Sequence, residues 1–370
     1  MKNSIKFFVL ITLLIFLNSC WKVDVLNLTT WNNSDYTGNN CTQNNEVNWK
    51  SCEWNYVWWA AMNFAWNELK DNILKENVIL DTTDTWALDL AEKFNNSVVT
   101  KNILDEESYY VKSWYWQKTI DTINQEVSQK FPNKSFSKLD FTLKDTDIIS
   151  YSYFFKKVEY KEPFKEQSVL FKNGSYKWFE VENDDQRKNV KILNYESDDK
   201  FIVKLDLKDN SDELILVKWY DMNSPDEAIK YVNKYDKENL NSLEYSEQYH
   251  DFFEAPNLTL DYHRDYDLLI DKHLKNKVLV DTCIKYNLPD NCYKISKMYE
   301  NIKFDMDNKW AKVENEAVFW LIDTAMRIEE PKYIVRNFYL NNDYWIIMKR
   351  NNSEIPYFTL WVKNWNLMTK

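Results

Sequence analysis

Acid–base chemistry near neutral pH rests most often on histidine, and this chain has three: His250, His263 and His273. One lies in YHRDYD, Tyr262 to Asp267, where Asp261, His263 and Asp265 alternate. Alternation puts all three on one face of a strand, and their N and O donors could hold a metal ion. Solvated charges at a strand end give the same pattern far more often, so no metal is expected. The chain has no Ser-centred nucleophile elbow, no glycine-rich phosphate loop and no CxxC pair. An enzyme needs a converging set of titratable groups, which this sequence does not supply. It is therefore read as a non-enzyme without a cofactor.

The five cysteines offer different chemistry. An apolar run, Ile5 to Leu17, follows Lys2 and Lys6 and ends just before Cys20, the pattern of a secretory signal peptide and too short to span a bilayer. The ending Leu17-Asn18-Ser19-Cys20 resembles a bacterial lipobox, which implies lipidation of Cys20 after cleavage. The expected protein is exported and membrane-anchored through that lipid, facing the cell exterior or periplasm. One acyl chain holds only marginally, so stable anchoring implies a multiply acylated cysteine. The four cysteines left, Cys41, Cys52, Cys283 and Cys292, allow three pairings. The local choice, Cys41 with Cys52 and Cys283 with Cys292, would close two short loops worth roughly 2–3 kcal/mol each. Free buried thiols are the alternative.

Residues 1–19 are thus read as the signal peptide and 20–50 as a flexible Asn/Thr-rich tether. Residues 51–370, about 320 residues, form the domain. A net charge of −11 and a pI near 5.0 argue against nucleic acid and against an electrostatic grip on anionic lipid. A monomer is expected.

Composition carries one anomaly. The chain has 17 Trp and 2 Gly, where average usage of about 7% would give some 26 Gly. Abundant Asn, Lys, Ile and Tyr suggest an AT-rich gene, which should deplete Trp as well as Gly. The reading that reconciles them is a source that translates UGA as glycine, so that many written Trp are Gly; the alternative is a genuinely Trp-rich surface. Without glycine a chain loses its easiest route to positive φ. Read this way, SWYWQK, Ser113 to Lys118, becomes Ser-Gly-Tyr-Gly-Gln-Lys, a flexible turn and not a phosphate loop.

Stepping from residues to elements, AAMNFAWNELKDNIL, Ala60 to Leu74, has apolar positions at helical spacing, and so do TWALDLAEKF and KTIDTINQEVSQKF. From Asp147 the character changes. DIISYSYFF, SVLFKNGSYKWFEV, NVKILNY, KFIVKLDLK and ELILVKWYD are rich in β-branched and aromatic residues and read as strands. A short helix is expected at SPDEAIKYVNKY, with Ser224 as its cap. Helices first and strands after, with little strict alternation, predict an α+β domain.

Four stretches, in order, resemble the serpin family of serine protease inhibitors: INQEVSQKFPNKSF from Ile123, DIISYSYFFKKVEYKEPFKEQSVLF from Asp147, EAPNLTLDYHRDYDL from Glu254, and ISKMYENIKFDMDNKWAKVENEA from Ile295. They cover roughly residues 120–370. The resemblance implies helices packed on several β-sheets and an exposed reactive-centre loop near the C-terminus. It also implies inhibition of serine or cysteine proteases, in which a protease cleaves the loop and the loop inserts into a sheet as a new strand. The hinge would comprise Trp310, Ala311, Val313, Asn315 and Ala317. The scissile bond would be Thr324-Ala325, or with a shifted register would follow Arg327. Trp21, Trp310 and Trp361 each stand where the corresponding motif usually has glycine. The family's shutter histidine and asparagine fall on Glu300 and Tyr151. After position 310 the odd residues through Leu321 are mostly small or apolar, while the even ones begin charged, which suits a strand with one buried face. The competing reading is a non-inhibitory, serpin-like surface lipoprotein that binds a protein partner or serves as a scaffold.

Overall fold

The computed structural model describes residues 55–370, apart from 133, 135, 137, 145, 172–173, 219–224, 236–239, 313–332 and 364. The helical spacing over Ala60–Leu74 forms α1 (Ala61–Glu68) and a π-helical stretch, Leu69–Leu74. Ahead of it lies β1 (Tyr56–Trp59), an apolar strand too short for its periodicity to be recognised. After β2 (Leu80–Asp81), α2 (Thr85–Asn95) is capped by Asp84, whose carboxylate accepts the Trp86 and Ala87 N–H groups. β3 (Tyr109–Tyr115) leads into α3 (Gln117–Lys130). The segment Ser113–Lys118 is therefore no loop: strand and helix meet at Trp116.

From β4 (Ile148–Phe154) the chain is mainly strand, as the β-branched and aromatic runs predict: β5 (Lys157–Glu159), β6 (Lys165–Phe171) and β7 (Gly174–Glu180) follow directly. A capping box, Asn183 with Gln186, starts the short α4 (Asp184–Lys188). Next come β8 (Val190–Ser197), β9 (Lys200–Leu205), β10 (Asp212–Lys218) and α5 (Pro225–Val232). The expected cap of α5, Ser224, lies outside the described residues. The remaining elements are β11 (Asn241–Ser242), β12 (Tyr249–Pro256), β13 (Leu258–Asp265), β14 (His273–Leu274), α6 (Lys277–Lys285), β15 (Tyr299–Met306), β16 (Trp310–Lys312), β17 (Ile334–Tyr339), β18 (Tyr344–Arg350) and β19 (Pro356–Val362).

The architecture is α+β, with helices packed on several sheets. The largest sheet runs β1-β19-β18-β10-β9-β8-β11. Every residue of β10 and β19 is buried, which suits the apolar run Leu214–Val217 and the mostly apolar β19. Their neighbour β18 is buried up to Lys349, and that ammonium meets the Glu213 carboxylate at 3.0 Å across the β10–β18 pair. A second sheet has the order β17-β12-β7-β6 and a third β13-β15-β16-β5. The pairs β3–β4 and β2–β14 stand apart from these. The main apolar core lies among the three large sheets, a second gathers α2, Leu279 of α6 and Tyr266, and a third lies under α3.

Candidate functional site

The place where the third sheet is incomplete is built by the turn between β15 and β16. The Asp307 carboxylate accepts the Lys309 N–H at 2.7 Å and the Trp310 N–H at 3.0 Å, and the Asp307 N–H donates to the Trp310 carbonyl. An Asp at the start of a tight turn forms such bonds readily. Asn308 ties the turn to the segment after β5: its side-chain amide donates to the Phe164 carbonyl at 3.0 Å, and the Phe164 N–H donates back to the Asn308 carbonyl at 2.7 Å. The chain thus reverses into β16, which is antiparallel to both neighbours. Ala311 lies opposite Met306 of β15 and Val158 of β5, and is fully buried.

β16 is only three residues long in the described chain, and the strands beside it are longer. β15 pairs with β13 over eight positions, Tyr299 to Met306, but with β16 only at Asp305 and Met306. β4, which leads into β5, pairs with β3 along its whole length. Among the described residues, no strand joins the free side of β4 to the free side of β15. Both strands run antiparallel to β16 or lead into one that does, so chain continuing from Lys312 in the same direction would pass between them.

Both strands also grip the start of α1. The Glu300 carboxylate on β15 is buried, accepts the Met62 N–H at 3.3 Å and the Tyr266 hydroxyl at 3.0 Å, and lies 3.6 Å from the Arg264 guanidinium. Arg264 in turn donates to the Val57 carbonyl at 3.0 Å. A carboxylate at a helix N-terminus satisfies an unpaired N–H and favours the dipole. On β4 the hydroxyls of Ser152 and Ser150 donate to the Ala61 and Ala65 carbonyls. Glu300 thus reaches α1 from β15. On β4 it is Ser150 and Ser152, and not the aligned Tyr151, that do so. Sequence reasoning missed these serines, although Ser at alternate positions of an otherwise aromatic strand was the available signal.

Beyond residue 332 the chain is fastened at once. Arg336 of β17 forms a two-pronged ion pair with the fully buried Asp251 of β12, at 2.7 and 2.6 Å. The Asp251 carboxylate holds the guanidinium above its ordinary pKa, and the Arg336 plane lies 4.2 Å from the Tyr249 ring centre. Asn337 donates from both its backbone and side-chain nitrogens to Asp198. Burial pushes the Asp198 carboxyl up, but hydrogen bonds from Tyr195 and Asn337 outweigh it and leave the group below its usual range.

Of the sequence-derived site residues, Trp310 and Ala311 lie in β16. Val313, Asn315, Ala317, Thr324, Ala325 and Arg327 lie outside the described residues, as do Cys20, Cys41 and Cys52. Cys283 and Cys292 form a disulfide joining the end of α6 to the segment before β15. The YHRDYD acids do not converge: Asp261 pairs with Lys303 at 3.1 Å, and His263 lies between Asn301 and Asp265 on an exposed face. No group of three potential ligands that could hold a metal ion occurs among the described residues. His273 meets the Asn291 carbonyl and His250 stacks on Tyr245, so the three histidines form no common site.

No protein-family model matches this chain, and no curated protein matches it. Solved structures do. Serpin48, described as a highly specific serpin in the insect Tenebrio molitor, aligns at 10% identity with TM-score 0.47, over 84% of this chain and 92% of its own. Thyroxine-binding globulin in complex with thyroxine aligns at 12% identity with TM-score 0.47, over 85% and 94%. Mouse protein-Z dependent protease inhibitor aligns at 11% identity with TM-score 0.49, over 84% and 91%. All three scores fall below 0.5.

Proposed function

We propose that this protein is a serpin-like inhibitor of serine or cysteine proteases, acting by loop cleavage and strand insertion. One observation carries the reading: β16 is seated between β15 and β5, and chain extending from it would run into the gap between β15 and β4. Strand addition would pair two edges that no described strand joins. If the chain kept the register of β16 on insertion, Val313 would come opposite Phe304, Asn315 opposite Ile302 and Phe154, and Ala317 opposite Glu300 and Ser152. The odd residues would share the buried face of Ala311. Glu314 would face outward opposite Lys303.

The reading includes export, lipidation of Cys20 and attachment to a membrane through that lipid, with the monomer as the active species. The test mixes residues 22–370 with trypsin-like, subtilisin-like and elastase-like proteases and resolves the products on a denaturing gel. A heat-stable band at the summed mass is expected, and sequencing the released peptide distinguishes Thr324-Ala325 from a bond after Arg327. Clean cleavage without that band overturns inhibition.

A second reading, a non-inhibitory scaffold or partner-binding lipoprotein, is favoured by one residue. Asn315 would enter the apolar side of the sheet beside Ile302 and Phe154, both essentially buried. A buried amide without partners is costly and would slow insertion.

A further inference from the structure

Four non-glycine residues among those described have positive φ. Lys75, Asp271 and Asn287 have φ of 59°, 60° and 55°, in the range of the small left-handed region open to L-residues and most readily entered by Asn and Asp. Trp116 differs. Its φ of 78° and ψ of 156° fall where a side chain is strongly disfavoured and glycine is at home.

The surroundings fix this conformation. The Trp116 N–H donates to the Asp147 carbonyl at 3.3 Å, at the end of the β3–β4 ladder, and its carbonyl accepts the Thr119 N–H at 3.0 Å, in the first turn of α3. Relaxing φ would break the join between strand and helix. The indole does nothing to compensate: it is 53% exposed and has no hydrogen bond or ring contact among the described residues. Trp66 is the opposite case. It is 4% exposed, its Nε1–H donates to Asn95 Oδ1 at 3.0 Å, and its ring stacks on Phe94 at 4.9 Å.

We infer that position 116 is glycine in the native protein, its codon being UGA read as glycine, whereas Trp66 is a true tryptophan encoded by UGG. The inference joins the shortage of glycine in the written chain to a backbone that needs it at one named place. Trp310 and Trp361 show no left-handed backbone.

Two measurements test it. The first reads codons 66 and 116 in the source DNA and the masses of the corresponding peptides from the native protein. UGA with a glycine mass at 116 and UGG with a tryptophan mass at 66 are expected. UGG at 116, tryptophan in the native 116 peptide, or glycine at 66 each overturns the inference. The second compares the recombinant written chain with Trp116→Gly, Trp116→Ala and Trp66→Gly. Trp116→Gly should raise Tm by roughly 3–6 °C, Trp116→Ala should raise it much less because it keeps a Cβ, and Trp66→Gly should lower it. Equal effects of Gly and Ala at 116 would remove the conformational basis.

Discussion

The β1-β19-β18-β10-β9-β8-β11 sheet and the β13-β15-β16-β5 sheet are made from similar strands but finished differently. In the first, β10 has β9 on one side and β18 on the other along nearly its full length, and the Glu213–Lys349 pair closes one end. In the second, among the described residues, β15 is fully paired on one side and paired at two residues on the other. The first sheet has no room for another strand beside β10, whereas among the described residues no strand joins β15 of the second sheet to β4 of the separate β3–β4 pair, and both of these reach the start of α1. On the proposed function, rigidity and capacity for change fall to different sheets.

The largest effect should come from completing the second sheet. Cleaving the chain between residues 313 and 332 should raise Tm by about 10 °C or more, because a new central strand adds two ladders and apolar burial. A calorimetric scan of cleaved protein that shows no rise would end the contrast between the sheets. Asp251→Ala should cost about 3–5 kcal/mol in urea denaturation, since it leaves Arg336 with an uncompensated charge. In the finished sheet Ile346→Ala should cost about 2–5 kcal/mol by opening a cavity, and this cost should be the same in intact and cleaved protein. Glu300→Ala should cost about 1–3 kcal/mol through the lost Met62 and Tyr266 hydrogen bonds. If it costs the same before and after cleavage, Glu300 belongs to the fixed part of the molecule.

The smallest effect is one of pH. Hydrogen bonds from Lys157 and Lys208 hold the Glu159 carboxyl of β5 down at about 2, from an ordinary 4.5. Its stabilisation is present above pH 4.5 and is lost as pH falls from there towards 2. The Glu159 side chain is partly exposed, and solvent screening should keep the loss below about 1 kcal/mol. Glu159→Gln should flatten that part of the stability curve.

Much of this was legible in the sequence. The helical spacing of Met62, Ala65 and Leu69 and the unbroken apolar run of β10 mark helix and buried strand through elementary periodicity. What was not legible depends on distant partners. Nothing local says that Arg336 will meet Asp251, or that Ser150 and Ser152 will reach carbonyls of α1 more than 80 residues earlier. β1 was hidden because four residues carry no measurable period.

The order of the largest sheet has a consequence for the molecule as an object in two pieces. A cut between residues 313 and 332 separates β17, β18 and β19 covalently from everything before them. Yet β18 and β19 lie between β10 and β1, and β17 is fastened through Arg336 and Asn337. The nicked protein should therefore behave as a self-complementing pair of fragments, migrating as one species in native size-exclusion chromatography and as two only in denaturant. The C-terminal fragment is an internal component of the fold and not a detachable tail.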